Sequence, residues 1–278
     1  MRKNMFQLLE DEYNIGEELT RLYYLARLDY YFTNTISSTI IKHQIEPYVN
    51  EQFFDSWVYR GTCTSVYNMK RALKLDMEEI DLIQLLLYIE YILNIFYLCI
   101  NNNVIIRDKS NNENKNISLY KNIKILLSNY NFEYKVIDAE NTKIVVVESN
   151  PSATLVAETI EDHNISLDVI RYNHFMLRGN VHEKKKILTQ LYKEFEKIKN
   201  QLIVVDKGLA SNLGFLFNAL GIRHNKHNSP ITNELVKAMS DEEIEEWCDD
   251  IYEIFMLAIL RVNYDNLKDK IEWLKTGD

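Results

Sequence analysis

The chain has 278 residues, 46% of them hydrophobic, with 7 Gly, 3 Pro and a formal net charge of −9. So little Gly and Pro excludes a turn-rich β-sandwich or barrel, and the apolar content suffices for a real core, so the expected class is mostly α. The acidic balance excludes a general attraction to polyphosphate, and Cys63, Cys99 and Cys248, widely spaced and without a CxxC pair, exclude a disulfide framework and a thiolate zinc site.

Residues 17 to 45 read as a helix rich in Leu, Tyr and Ile, and residues 50 to 75 as a second whose apolar side is Phe53, Phe54, Trp57 and Val58. Asp76 with Glu79 makes a capping-box-like start for a third helix that stays apolar on nearly every side to Cys99 and is expected at the centre of the N-terminal half. Within it, residues 82 to 100 come closest to a membrane span, but Gln84, Glu90 and Asn94 interrupt the run. The N-terminus reaches acidic residues too soon for a secretory signal, so a cytoplasmic chain with no membrane partner is expected. Residues 101 to 116, NNNVIIRDKSNNENKN, lose periodicity and read as a solvated loop and a domain boundary. The expected division is a helical N-terminal region over 1–115 and a helical bundle with an N-terminal β-hairpin over 116–278.

Residues 118 to 130 read as a short helix, and 132 to 137 with 143 to 148, joined by DAENT, as a hairpin, the only strand structure expected. Asn150-Pro151-Ser152 ends the hairpin and opens a helix. Helices are then expected at about 152–161, 166–178, 181–203, 207–224 and 240–263, with Gly179 ending the second of these. Ser240 and Glu243 form a capping box, and Ile244, Trp247, Cys248, Ile251, Ile254, Phe255, Ala258 and Val262 recur at three- and four-residue steps behind it. Residues 178 to 207 are rich in Lys and residues 241 to 250 in Asp and Glu, which reads either as a local basic face or as two solvated helix faces that attract each other within the fold.

Leu209, Leu213, Leu216 and Leu220 step along one helix face, and one more turn of that stripe reaches Arg223, His224 and His227. If the helix persists past Gly221, which costs about 1 kcal/mol relative to Ala, a guanidinium and an imidazole project together at the end of the bundle. LFNALGIRHNKHN, residues 216 to 228, followed by MSDEEIEEWCDDIYEIFMLAIL, resembles the C-terminal domain of bacterial abortive-infection proteins of the HEPN superfamily. VVVESNPSATLVAETI and IRYNHFMLRGN resemble the lead-in to that domain, so the resemblance covers about residues 130 to 275.

The resemblance implies a metal-independent endoribonuclease toxin of phage defence: a helical bundle that acts on RNA as a homodimer, the motifs of two copies facing across a cleft. Carried onto this chain, Arg223 would stabilise the phosphate and His227 would act as general base or acid. His224 falls where the family often has a polar residue, and three residues separate Arg223 from His227, a shorter interval than the family's usual one, so either histidine can be the catalytic one. His174, Asn218 and Asn225 are candidates to line the same cleft, and His174 reads equally as a hydrogen-bonded core residue. No cofactor is expected: HExxH, GxSxG and Gly-rich phosphate loops are missing from the sequence, and His224 with His227 lacks further metal ligands at the usual spacing. Tyr23, Tyr24, Tyr30 and Tyr31 have core-like spacing and are assigned to packing rather than base stacking. Two functions follow: an RNA-cleaving toxin whose activity the N-terminal half or a protein regulator restrains, and a non-catalytic HEPN-like module that binds nucleotide, RNA or a protein partner.

Overall fold

The computed structural model describes residues 14–75, 81–222 and 234–276, and the chain is mostly helical with two small sheets. It divides into two compact units, Met1–Val146 and Val147–Asp278.

In the first unit Asn14 accepts the Glu17 N–H and opens α1 (Ile15–Ala26), whose buried face is Leu19, Leu22, Tyr23, Leu25 and Ala26. The expected helix to residue 45 stops there, because the chain turns to aromatic and β-branched residues that favour a pleated surface. β1 (Tyr30–Asn34) and β2 (Ile40–His43) form an antiparallel hairpin, and β3 (Val104–Arg107) pairs with the other edge of β1, giving the order β2-β1-β3. Tyr30 and Phe32 are buried while Tyr31 is exposed, the period of two expected of a half-buried strand. β3 lies inside the stretch read as a solvated loop. Its Val104 and Ile106 are buried, but four residues between Asn-rich flanks are too few to show a pattern without their partner strand.

The expected helix over 50–75 is also divided, into α2 (Ile45–Gln52), two short 3₁₀ turns at Phe54–Ser56 and Val58–Arg60, and α3 (Val66–Ala72). Asp81 then caps α4 (Leu82–Asn101) by accepting the Gln84 N–H at 2.7 Å; the capping pair expected at Asp76 and Glu79 lies outside the described residues. α4 is apolar and long enough to cross a membrane, and 72% of its most apolar window is buried inside the protein. α1, α2 and β3 pack around it, which explains apolar residues on nearly every side. α5 (Ser118–Asn129) adds Leu119, Tyr120 and Ile123, with Tyr120 stacked on Phe96 of α4. Residues 116 to 146, expected with the bundle, therefore belong to the first unit.

The expected hairpin forms as β4 (Phe132–Asp138) and β5 (Lys143–Glu148). With two strands only, β5 would leave its outer backbone groups unpaired, and the polar residues that interrupt α4 take them up. Asn94 donates to the Ile144 carbonyl at 2.8 Å and accepts the Ile144 N–H at 2.9 Å, and Glu90 accepts the Val146 N–H at 2.7 Å.

In the second unit Asn150 caps α6 (Pro151–Thr159) and Asp162 caps α7 (His163–Tyr172). A 3₁₀ turn at Phe175–Leu177 and Gly179, with φ +73°, lead to α8 (Val181–Val205). α9 (Lys207–Ala219), a single turn α10 (Glu234–Lys237) and α11 (Asp241–Thr276) complete the unit. Leu188, Leu191 and Phe195 of α8, Leu213 and Phe217 of α9, and Ile251, Phe255 and Ala258 of α11 share one core with Val156 and Val169. The Ser240 capping box is formed in both directions: the Glu243 N–H donates to Ser240 Oγ at 3.2 Å and the Ser240 N–H to Glu243 Oε2 at 2.8 Å.

Asn94→Leu keeps the side-chain size and removes both bonds to Ile144. Stranding two buried backbone groups is expected to lower the unfolding free energy by about 2 to 4 kcal/mol, read as a lower urea midpoint at unchanged m-value. A midpoint equal to wild type would show that the β5 edge finds other partners.

Candidate functional site at one end of the bundle

Asp206 opens α9 by accepting the Leu209 N–H at 2.9 Å. The residues α9 buries are Ala210, Leu213, Phe217 and Leu220, whereas Leu209 and Leu216 of the expected stripe are only partly buried. The helix does not persist to Arg223. The Leu220 N–H donates to the Leu216 carbonyl, the Gly221 N–H to the Asn218 carbonyl at 3.0 Å, and Gly221 takes φ +73°. A left-handed residue after the last turn is how helices commonly end, and glycine reaches it without a Cβ penalty. The helical stripe expected from the sequence therefore breaks at Gly221.

Ile222 follows at once, 2% exposed, with its carbonyl 3.4 Å from Thr189 Oγ1 of α8. Arg223, His224, Asn225 and His227 lie outside the described residues, and the chain resumes in α10 with Val236 buried in the same core. Asn218 stands on the exposed side of the last turn of α9, away from the cleft described next.

A polar cleft of about 300 Å³ opens at the end of the bundle where α8 and α11 begin and α7 finishes. At its centre Lys184, 5% exposed, lies 2.7 Å from Glu245 Oε1 and 2.7 Å from Asp249 Oδ1. Thr189, which meets Ile222, is five residues further along α8, about 7.5 Å along the axis. Asp249 also accepts the Tyr172 hydroxyl at 2.9 Å, and the Tyr172 ring stacks on Tyr252 at 4.1 Å. The Tyr252 hydroxyl donates to the Val169 carbonyl at 2.8 Å, and the Asn173 amide donates to the Tyr252 oxygen at 2.6 Å. Glu245 takes a further bond from the Gly179 N–H at 2.8 Å. One wall is the end of β5, where the Glu148 N–H donates to the Asn173 carbonyl and Glu148 pairs with Arg178 at 2.7 Å.

His174 lines this cleft. It also opens the 3₁₀ turn: its Nδ1 accepts the Met176 N–H at 3.2 Å, and its ring stacks on Phe175 at 4.5 Å.

Burial alone would depress the Lys184 ammonium, but its bonds to Asp249 and Glu245 outweigh burial and raise it. Burial pushes Glu245 up, and the opposing bonds from Lys184 and Gly179 bring it below the ordinary carboxylate range. Glu253 is raised by burial, with the Asp249 charge adding to it against a bond to Asn150. Burial, then Asp249, drives the Tyr172 phenol far up, so it stays a donor at neutral pH. Four carboxylates, Glu148, Glu245, Asp249 and Glu253, face Lys184 and Arg178. An excess of negative charge disfavours a phosphodiester here and favours a ligand with donors or positive charge.

No family model, curated protein or solved structure matches the chain. The site's chemistry is read from its own residues. The Lys184 clamp is what the opposed runs at 178–207 and 241–250 amount to in three dimensions: Glu245 and Asp249, one turn apart on α11, take one lysine between them. The other lysines of α8 are mostly spent within their own helix, Lys186 on Glu183, Lys197 on Glu194 and Lys199 on Glu196. Cys248 beneath the clamp is pushed up to about 12, chiefly by burial, and stays a thiol. Among the described residues no three His, Cys, Asp or Glu side chains gather as a metal site.

Lys184→Ala leaves Glu245 and Asp249 side by side and half sheltered without their cation. A loss of about 3 kcal/mol in unfolding free energy is expected, against about 0.5 kcal/mol or less for the exposed Lys186→Ala. Equal urea midpoints for the two variants would remove the clamp as a stabilising element.

Proposed function

We propose that the C-terminal unit is a HEPN-type ribonuclease module, a toxin of the abortive-infection kind that acts in the cytoplasm on RNA. The supporting observation is the way α9 ends. Gly221 stops the helix, Ile222 is buried against α8, and the described chain resumes with Val236 buried in the same core. Segments fixed at both ends on a rigid scaffold are where catalytic side chains are commonly carried.

In this reading His227 or His224 takes the proton of a ribose 2′-hydroxyl as its oxygen attacks phosphorus. The bond from phosphorus to the 5′ oxygen breaks, and a second histidine from another copy protonates the leaving oxygen. Arg223 bears the charge of the phosphorane, and the products are a 2′,3′-cyclic phosphate and a 5′-hydroxyl. No metal takes part in that scheme.

A second copy has a surface to meet. The outer half of α11 exposes Leu257, Tyr264, Leu267, Ile271 and Leu274, spaced as the a and d positions of a heptad. One observation favours the alternative reading, a non-catalytic module for a protein partner: the cations of the described cleft, Lys184 and Arg178, are both taken up by carboxylates. In the ribonuclease reading the N-terminal unit is the element that restrains or directs the bundle.

The test is purified full-length protein incubated with total RNA in chelator, beside the triple variant Arg223→Ala, His224→Ala, His227→Ala. Wild type is expected to produce fragments with cyclic phosphate ends, and the triple variant at least about a hundredfold fewer, with unchanged circular dichroism and Tm. Cleavage surviving in the triple variant, or absent in wild type, overturns the ribonuclease reading.

A further inference from the structure

We propose that the N-terminal unit carries a binding site for a nucleoside phosphate in the groove between α1, α2 and α3. The groove holds about 630 Å³, within the range of cavities that enclose small molecules. Its walls are the end of α1 with Tyr23 and Arg27, the outer side of α2 with Glu46 and Pro47, and α3 with Tyr67, Lys70 and Arg71.

The cations divide into two kinds. Lys70 is already employed: Glu46 holds it at 3.0 Å and 3.1 Å, and it lies 5.5 Å from the ring centre of Tyr23 and 6.0 Å from that of Tyr91. Tyr91 also donates to Glu46 at 3.2 Å, so this group forms a half-buried and internally neutral floor. Arg27 and Arg71 are different. Both are exposed, both line the groove, and neither makes a side-chain hydrogen bond or ion pair with a described residue. The remaining acid, Glu51, lies 3.6 Å from His43.

Counting Arg27, Lys70 and Arg71 against Glu46 and Glu51 leaves one net positive charge in a concavity of a chain whose formal charge is −9. Two guanidiniums with no partner among the described residues are suited to phosphate oxygens, which they can grip bidentately. Phosphate alone would leave most of the volume empty. Tyr67, 67% exposed at the edge of the groove, presents a ring for a planar base to stack on, and Pro47, Val66 and Leu75 give the apolar surface beside it. Anionic head and flat aromatic body together describe a nucleotide. The site stands whether or not the C-terminal unit cleaves RNA.

Isothermal titration calorimetry on the full-length protein tests it, with the four ribonucleoside monophosphates and triphosphates, adenosine and inorganic phosphate as probes. At least one nucleotide is expected to bind, with inorganic phosphate and adenosine each weaker by about tenfold or more. The double variant Arg27→Gln, Arg71→Gln should weaken nucleotide binding by about tenfold or more. Tyr67→Ala should weaken it and Tyr67→Phe should not, while Arg21→Gln, on α1 outside the groove, should leave it unchanged. Because these side chains are exposed, equal Tm values are expected throughout. The proposal is overturned if no nucleotide binds at millimolar concentration, if the double variant binds as wild type does, or if inorganic phosphate binds as tightly as the nucleotides.

Discussion

A single left-handed residue governs how the second unit can work. At Gly221 the backbone leaves the α-helical region, α9 ends, and Ile222 is turned back into the core beside Thr189. Most residues with a Cβ would resist that conformation, β-branched ones most and asparagine least. The end of α9 therefore meets α8 near the end of the unit at which α8 and α11 begin. The polar cleft with its Lys184 clamp is at that same end, so buried charge pairing, the exit from α9 and the start of the acidic helix are concentrated in one region of the unit.

Both units solve the same problem, which is how to place polar groups inside an apolar structure. In the first, Glu90 and Asn94 stand on the most apolar helix of the chain, and their partners are the backbone groups of β5 that no strand covers. In the second, Lys184 is sheltered and is satisfied by two carboxylates and by the ring of Tyr172, 5.6 Å away. The first unit's groove differs, since Arg27 and Arg71 have no side-chain partner among the described residues.

Much of the second unit was legible from sequence because its signals are local. Asn150 before Pro151, the Ser240–Glu243 capping box and the spacing of Ile251, Phe255 and Ala258 each act within a turn or two. The hairpin at 132–148 was legible for the same reason. The sheet of the first unit was not. Tyr30 and Phe32 sit in a stretch whose Leu, Tyr and Ile content also suits a helix, and β3 is recognisable as a strand only beside β1, far away in sequence. The end of α9 was legible in part: Gly221 announced a cost, but whether the helix would absorb it depended on the burial offered to Ile222. The Lys184 clamp needed the pairing of two helices, and the Arg27–Arg71 groove needed three short ones. The opposed charge runs marked the first without naming its partners, whereas an approach of three short helices leaves no mark in the local pattern.

The most direct measurement compares Gly221→Asn with Gly221→Val in the chelator-resistant RNA cleavage assay, both checked for folding by circular dichroism. Asparagine accepts the left-handed region, whereas a β-branched residue there costs about 1 to 2 kcal/mol or more. The account predicts that the asparagine variant cleaves as wild type does and that the valine variant, still folded, loses most of its activity. Undiminished cleavage by folded Gly221→Val would contradict it.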